Sequence, residues 1–204
     1  MPEISRLGMK MPESPIRKLA PLANEAKARG IKVYHLNIGQ PDIPAPEVGL
    51  EALRRIDRKV LSYCPSDGLL SLRQKMTEYY RRFAINVEPD EIFITTGASE
   101  AVSLAFLACL DPGDEILIPE PAYANYMSMA ISCGAIIKTV PSSIDNGFAL
   151  PSIEQFEEAI TPRTKAVLLC NPNNPTGYVY TSEELSHIRD LSLIHISEPT
   201  RQAE

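Results

Sequence analysis

The chain has 204 residues, 44% of them hydrophobic, enough to bury a substantial core as one domain or as part of a larger one. Acidic residues outnumber basic ones by 26 to 20, a formal charge of −6, and no Lys/Arg run is present that could track a phosphate backbone, so nucleic acid is excluded as an expected partner. Cys64, Cys109, Cys133 and Cys170 are scattered, as are His35, His187 and His195; none has metal-ligand spacing, and the cysteines are expected to be reduced core residues of a cytoplasmic protein.

Residues 1–19 are polar and broken by prolines, without the apolar centre of a secretory signal. Ser14 and Pro15 form an N-cap and first-turn pair, and Ile16, Leu19, Ala23 and Ala26 share one face of a helix that Gly30 ends. A short strand is predicted over 32–38, then a sharp turn at Gly39-Gln40-Pro41-Asp42, then a helix over 47–56. Tyr63 precedes a Pro-Ser-Asp-Gly turn and by itself reads as a packing residue. Leu69, Leu72, Met76, Tyr80 and Phe83 mark the buried face of the long helix that follows.

An alternating strand over 91–96 runs into Gly97-Ala98-Ser99-Glu100 and a helix over 101–110, an apolar stretch far too short to span a bilayer. Small residues at a strand-to-helix junction let backbone approach an anion, and the N–H groups and positive end of the helix favour negative charge. A phosphate would sit well there, although a helix capped by Ser99 accounts for the same letters. Neither Gly-x-x-x-x-Gly-Lys nor Gly-x-Gly-x-x-Gly occurs, so ATP and dinucleotide readings lose their best support.

Asp111-Pro112-Gly113-Asp114 turns into a strand over 115–118, and the segment 119–126, with Tyr123 at its centre, opens a helix that Gly134 closes. A strand over 135–140, a helix over 152–160 with a Ser152/Gln155 capping box, and a strand over 165–170 follow. This alternation predicts an α/β fold, a mostly parallel sheet sandwiched by helices, with ligands gathering at the carboxyl ends of the strands.

The last strand delivers Asn171-Pro172-Asn173-Asn174-Pro175-Thr176-Gly177. Two prolines restrict φ and push Asn171 and Asn174 toward extended geometry, while Gly177 can take a turn that a Cβ would resist. The residues alone allow an ordinary Pro/Asn turn or a loop that aims Asn174 at a ligand. The full string resembles the signature loop of the class I and II aminotransferases, the fold-type I enzymes that use pyridoxal 5′-phosphate (PLP). Four further motifs agree in the family's order over about 11–190: the Gly-x-Pro turn at Gly39, Tyr63-x-x-x-x-Gly-x-x-x-Leu-Arg, the junction Gly97 to Ser99, and Pro-x-Tyr at Tyr123.

The resemblance implies roles. Asn174 would contact the phenolic oxygen of PLP and the substrate carboxylate, and Gly39 would offer backbone N–H to the substrate α-carboxylate. Gly97, Ala98 and Ser99 would cradle the phosphate, Tyr123 would stack on the pyridine ring, and Tyr63 would reach across a homodimer interface to the partner's PLP phosphate. The implied activity is transamination between an amino acid and a 2-oxo acid, aspartate aminotransferase-like. A PLP-dependent lyase or synthase of the same fold, or the sensor module of an aminotransferase-like transcriptional regulator, are the alternatives. The implied domains are an N-terminal arm and the start of a small domain over 1–48, and the N-terminal part of the PLP-binding large domain over 49–191.

A second capping box, Thr181 and Glu184, starts a helix with Leu185 and Ile188 on its apolar face. From Leu191 to Arg201 the letters match no part of the family and back-translate to a transposase-type sequencing adaptor, so 192–204 is expected to be a non-native tail and roughly half of the natural protein to lie beyond it. The Schiff-base lysine, the carboxylate for the pyridinium nitrogen and the arginine for the substrate carboxylate are then assigned to no residue here, no catalytic residue is expected in this chain, and the chain as written is expected to be inactive.

Overall fold

The computed structural model describes residues 3–14, 17–60 and 62–195. In chain order the helices and strands are α1 (Arg6–Lys10), α2 (Ala20–Ala28), α3 (Glu47–Arg54), α4 (Leu70–Arg81), α5 (Ala98–Cys109), β1 (Glu115–Glu120), α6 (Asn125–Ser132), β2 (Ile136–Pro141), α7 (Ile153–Ala159), β3 (Thr164–Val167) and α8 (Ser182–His195). Two compact units result, one of Leu19–Ala101 and one that joins Met1–Lys18 to Val102–Glu204. Of the expected adaptor-derived segment, 192–195 continue α8 and 196–204 lie outside the described residues.

The second unit is built on a parallel sheet in the order β2-β1-β3, with Leu117 opposite Lys138 on one side and Val167 on the other. Side chains alternate across a strand, so β1 serves two cores. Ile116 and Ile118 pack with Phe106 and Leu110, Ala130 and Cys133, which puts α5 and α6 on one face. Leu117 packs with Val140, Phe156, Ile188 and Leu191, which puts α7 and α8 on the other. A central parallel strand covered on both faces must be apolar throughout, and β1 is buried from Glu115 to Pro119.

The polar exception is Glu115, fully buried at the amino end of β1. Its carboxylate accepts from Thr161 at 2.7 Å and from Arg163 Nη2 at 2.6 Å. The Thr161 hydroxyl and then the Arg163 guanidinium hold its carboxyl below the ordinary glutamate value. Both predicted capping boxes form: Ser152 with Gln155 on α7, and Thr181 with Glu184 on α8. β3 ends sooner than the predicted strand. Leu168 N–H still donates to Leu117 O at 2.9 Å, and the chain then leaves the ladder for the Asn171 loop.

The 19–101 unit departs further from the sequence reading. The helix expected from Ser14 begins at Ala20, with Pro21 in its first turn, while Pro15 and Ile16 lie outside the described residues; Gly30, at φ +77°, ends it as expected. Residues 32–38 form no strand, and 39–42 has neither regular structure nor a hydrogen-bonded turn. Among the described residues no neighbouring strand receives the backbone there, and Leu36 is 96% exposed. Residues 92–96 are likewise not a strand: a 3-10 turn at Pro89–Glu91 leads into them, and Ile94 N–H donates to Asp67 O at 3.2 Å. On α4 the expected apolar face is wrong. Leu69, Leu72 and Phe83 are exposed, Met76 and Tyr80 are half-buried, and the buried positions belong to Arg73 and Thr77. The cysteines are unpaired, but Cys64 and Cys109 are exposed rather than core residues.

No helix among the described residues is long and apolar enough to cross a membrane, and no group of His, Cys, Asp or Glu among them could hold a metal ion.

Candidate functional site

β1 and β3 run in the same direction, so the segments leaving their carboxyl ends emerge on one side of the sheet. From β1 comes Pro121 to Ala124, which carries Tyr123 into α6. The Tyr123 hydroxyl accepts from Asn125 Nδ2 at 2.7 Å, and its ring stands edge-on to that of Tyr126, centroids 5.3 Å apart and planes at 84°. A two-point hold of this kind fixes both the tilt and the end of the ring. Burial, then a hydrogen bond with Cys170, pushes the Tyr126 hydroxyl up to about 12, so it stays protonated at neutral pH.

From β3 comes Cys170 and the Asn171–Gly177 loop. Its anchor is Asn173, a buried residue whose Nδ2 donates to Pro121 O at 3.0 Å and to Thr176 Oγ1 at 2.9 Å. The loop closes on itself through Gly177 N–H to Asn173 O at 2.7 Å and Asn173 N–H to Tyr178 O at 2.8 Å, with Gly177 at φ +72°. Asn171 Oδ1 accepts from Tyr180 N–H at 3.0 Å. With these neighbours holding the backbone, Asn174 is left exposed at the rim. The structure therefore brings the Asn174 loop and the segment that carries Tyr123 to the same end of the sheet, tied together by the Asn173 side chain.

Glu184 holds the rear of the loop. It accepts from Leu150 N–H at 2.8 Å, Thr181 N–H at 2.7 Å and Tyr178 OH at 3.2 Å. Burial pushes its carboxyl up, but the N–H groups of Thr181 and Leu150 outweigh this and hold it below the ordinary glutamate value.

The other expected site residues belong to the 19–101 unit. Gly97 takes φ +81°, with nothing within 4 Å of where a Cβ would stand, and Thr95 Oγ1 donates to Gly97 O at 3.0 Å. Ala98 and Ser99 form the first turn of α5. Gly97 N–H donates to Thr95 O at 2.8 Å, and the 12-residue helix that begins at Ala98 has an N-terminus of the kind that suits a phosphate. Gly39 is exposed in a stretch with neither helix nor strand, and Tyr63 is 104% exposed.

Sequence reasoning weighed Asn174 and passed over Asn173, Asn125 and Tyr126. For Asn173 a signal existed: asparagine in a proline-pinned loop is a residue type whose side chain commonly ties the turn to neighbouring backbone. For Asn125 and Tyr126 the only signal was their closeness to Tyr123.

The model of the family described as aminotransferase class I and II matches residues 31–195. The chain is 36% identical over 185 residues to the aspartate aminotransferase of Thermotoga maritima, covering 88% of this chain and 49% of that protein. It is 37% identical over 175 residues to the aspartate/prephenate aminotransferase of Thermus thermophilus, covering 85% and 45%. Among solved structures, the aspartate aminotransferase of Thermus thermophilus with maleate superposes with a TM-score of 0.88 at 35% identity, over 96% of this chain and 52% of that one. The chain spans about half the length of the curated relatives it matches.

Proposed function

Because the chain belongs to the class I and II aminotransferase family, we propose that the intact protein is a PLP-dependent enzyme that moves an amino group between an amino acid and a 2-oxo acid, with an aspartate-type donor. The observation that carries this reading is the Asn173 bridge, which joins the Asn174 loop to the peptide two residues before Tyr123. It gives a flat ring and an exposed amide fixed positions at one sheet end, as holding a planar, polar cofactor requires.

In this reading Gly97, Ala98 and Ser99 cradle the phosphate, Tyr123 orients the pyridine ring, and Asn174 donates to its phenolic oxygen. Asn174 and Gly39 N–H bind the substrate carboxylate. When bound, PLP supplies an electron-withdrawing ring that stabilises negative charge at the substrate α-carbon. Each within its own unit, the uncrowded Gly97 before a helix N-terminus suits a phosphate, and the hydrogen-bonded, edge-packed ring of Tyr123 suits a flat ring face.

Tyr63, extended into solvent, serves the site of a second copy, and the working enzyme is a cytoplasmic homodimer. The division at 48/49 separates the arm and small-domain start from the cofactor-binding domain. The lysine that holds the cofactor covalently, the carboxylate facing its ring nitrogen and the arginine for the substrate belong to sequence beyond 191, so the 204-residue chain does not transaminate. The test is direct. The intact protein, assayed with glutamate and oxaloacetate, should turn over and carry the visible absorbance of a covalently held pyridoxal ring, and the 204-residue chain should do neither. Turnover by the chain at the intact rate would overturn the assignment of the missing roles.

A further inference from the structure

We infer that Arg73 is a positioning residue for the phosphate end of the cofactor, locking the turn that follows Tyr63 and the segment that delivers Gly97 into one frame. The inference rests on the roles given above to Tyr63 and to Gly97, Ala98 and Ser99.

Arg73 is 8% exposed on a helix whose apolar residues largely face outward. A buried guanidinium needs its charge matched and its donors used. Asp67 supplies the charge at 2.6 Å, and the carbonyls of Pro89 at 2.6 Å and Gly68 at 3.4 Å accept from Nη1 and Nε. With its charge matched internally, Arg73 acts on a phosphate only through what it holds.

What it holds is specific. Asp67 and Gly68 close the turn that begins just after Tyr63, and Pro89 opens the 3-10 turn leading into 92–96. Backbone completes the frame: Ile94 N–H donates to Asp67 O at 3.2 Å, and Gly68, at φ +92°, approaches Ile94 so closely that a Cβ would collide with its side chain. Gly97 follows Ile94 by three residues, so a displacement of the frame has only about 10 Å of chain in which to dissipate before it reaches the junction. A planar, forked group reaches all three acceptors at once, whereas an ammonium is a single point.

The experiment measures affinity of the intact protein for PLP and for pyridoxal, which lacks the phosphate, in Arg73→Met, Arg73→Lys and Asp67→Asn. PLP affinity should fall roughly tenfold in Arg73→Met, below the hundredfold that an ångström of misplacement can cost. Pyridoxal affinity should not change, Arg73→Lys should recover part of the loss, and Asp67→Asn should lie between. If Arg73→Met does not fold, the other two variants make the same comparison. Equal losses toward both ligands, or none toward either, would overturn the proposal. Unmodified protein that binds PLP no better than pyridoxal would overturn the underlying reading of the junction, and the proposal with it.

Discussion

β1 and the segment 92–96 carry similar letters, apolar residues between turn formers, and meet different fates. β1 has a parallel partner on each side and helices over both faces. The segment 92–96 buries Ile92, leaves Phe93 exposed, and bonds to a turn instead of to a strand. The helices repeat the contrast. α7 buries Phe156 completely, whereas α4 turns Leu72 outward and buries Arg73. An apolar period says which side of a segment profits from cover; only a neighbour within reach turns that into a strand or a packed face.

The largest effect should come from the covered side of this contrast. Phe156→Ala removes a fully buried ring from the core under β1 and should cost ~3–5 kcal/mol of stability in denaturant unfolding. A loss under 1 kcal/mol would mean that the two-faced core is looser than its burial implies.

Next come the adjacent asparagines. Asn173→Ala takes the Nδ2 donor from Pro121 O and leaves Thr176 Oγ1 with only the Tyr178 N–H, and should destabilise by ~1–3 kcal/mol. Asn174→Ala should leave the melting curve in place and weaken cofactor or substrate binding by a similar ~1–3 kcal/mol. If the two variants exchanged effects, the division into an anchor and a ligand-facing amide would be wrong.

A pH effect comes third, moderated because Arg163 is 64% exposed and its attraction to Glu115 is screened. The folded carboxyl of Glu115 titrates below its ordinary value, so the charged form is the one the fold favours. Its contribution is complete above the ordinary glutamate value and disappears as pH falls through that value to the lowered one. Stability curves of Glu115→Gln and the unmodified chain should therefore converge at acid pH and separate above it. Parallel curves would rule the contribution out.

The smallest effect is expected from the uncovered side. Leu36→Ala, at a nearly fully exposed position, should change stability by no more than ~0.5 kcal/mol. A larger loss, seen by the same unfolding assay, would show that this leucine is covered in solution.

Much of the sheet-bearing unit was legible in the sequence. Strand letters, the Ser152/Gln155 and Thr181/Glu184 boxes, and Gly134 at the end of α6 all act over a few residues, and their partners lie close by in the chain. Illegible were features that depend on distant partners: the lack of a strand at 32–38, the burial of Arg73, and the pairing of Glu115 with Arg163 across 48 positions. For the candidate site, the loop at 171–177 and the aromatic at 123 could be read from residue types. The bond from Asn173 to Pro121 could not, because nothing near either residue points to the other.

The bond that Tyr178 OH donates to Glu184, with that from Tyr180 N–H to Asn171, bears on how the surface meets a protease. A cleft must draw several residues into an extended strand before it cuts, and 171–180 cannot be drawn out without releasing Glu184 from Tyr178, Asn171 from Tyr180 and Pro121 from Asn173 together. The loop is thus exposed and rich in turn formers, yet a poor substrate, while 32–45, in neither helix nor strand, has no helix or sheet ladder to break. Brief digestion should nick the chain there first and leave the Asn171–Gly177 loop whole.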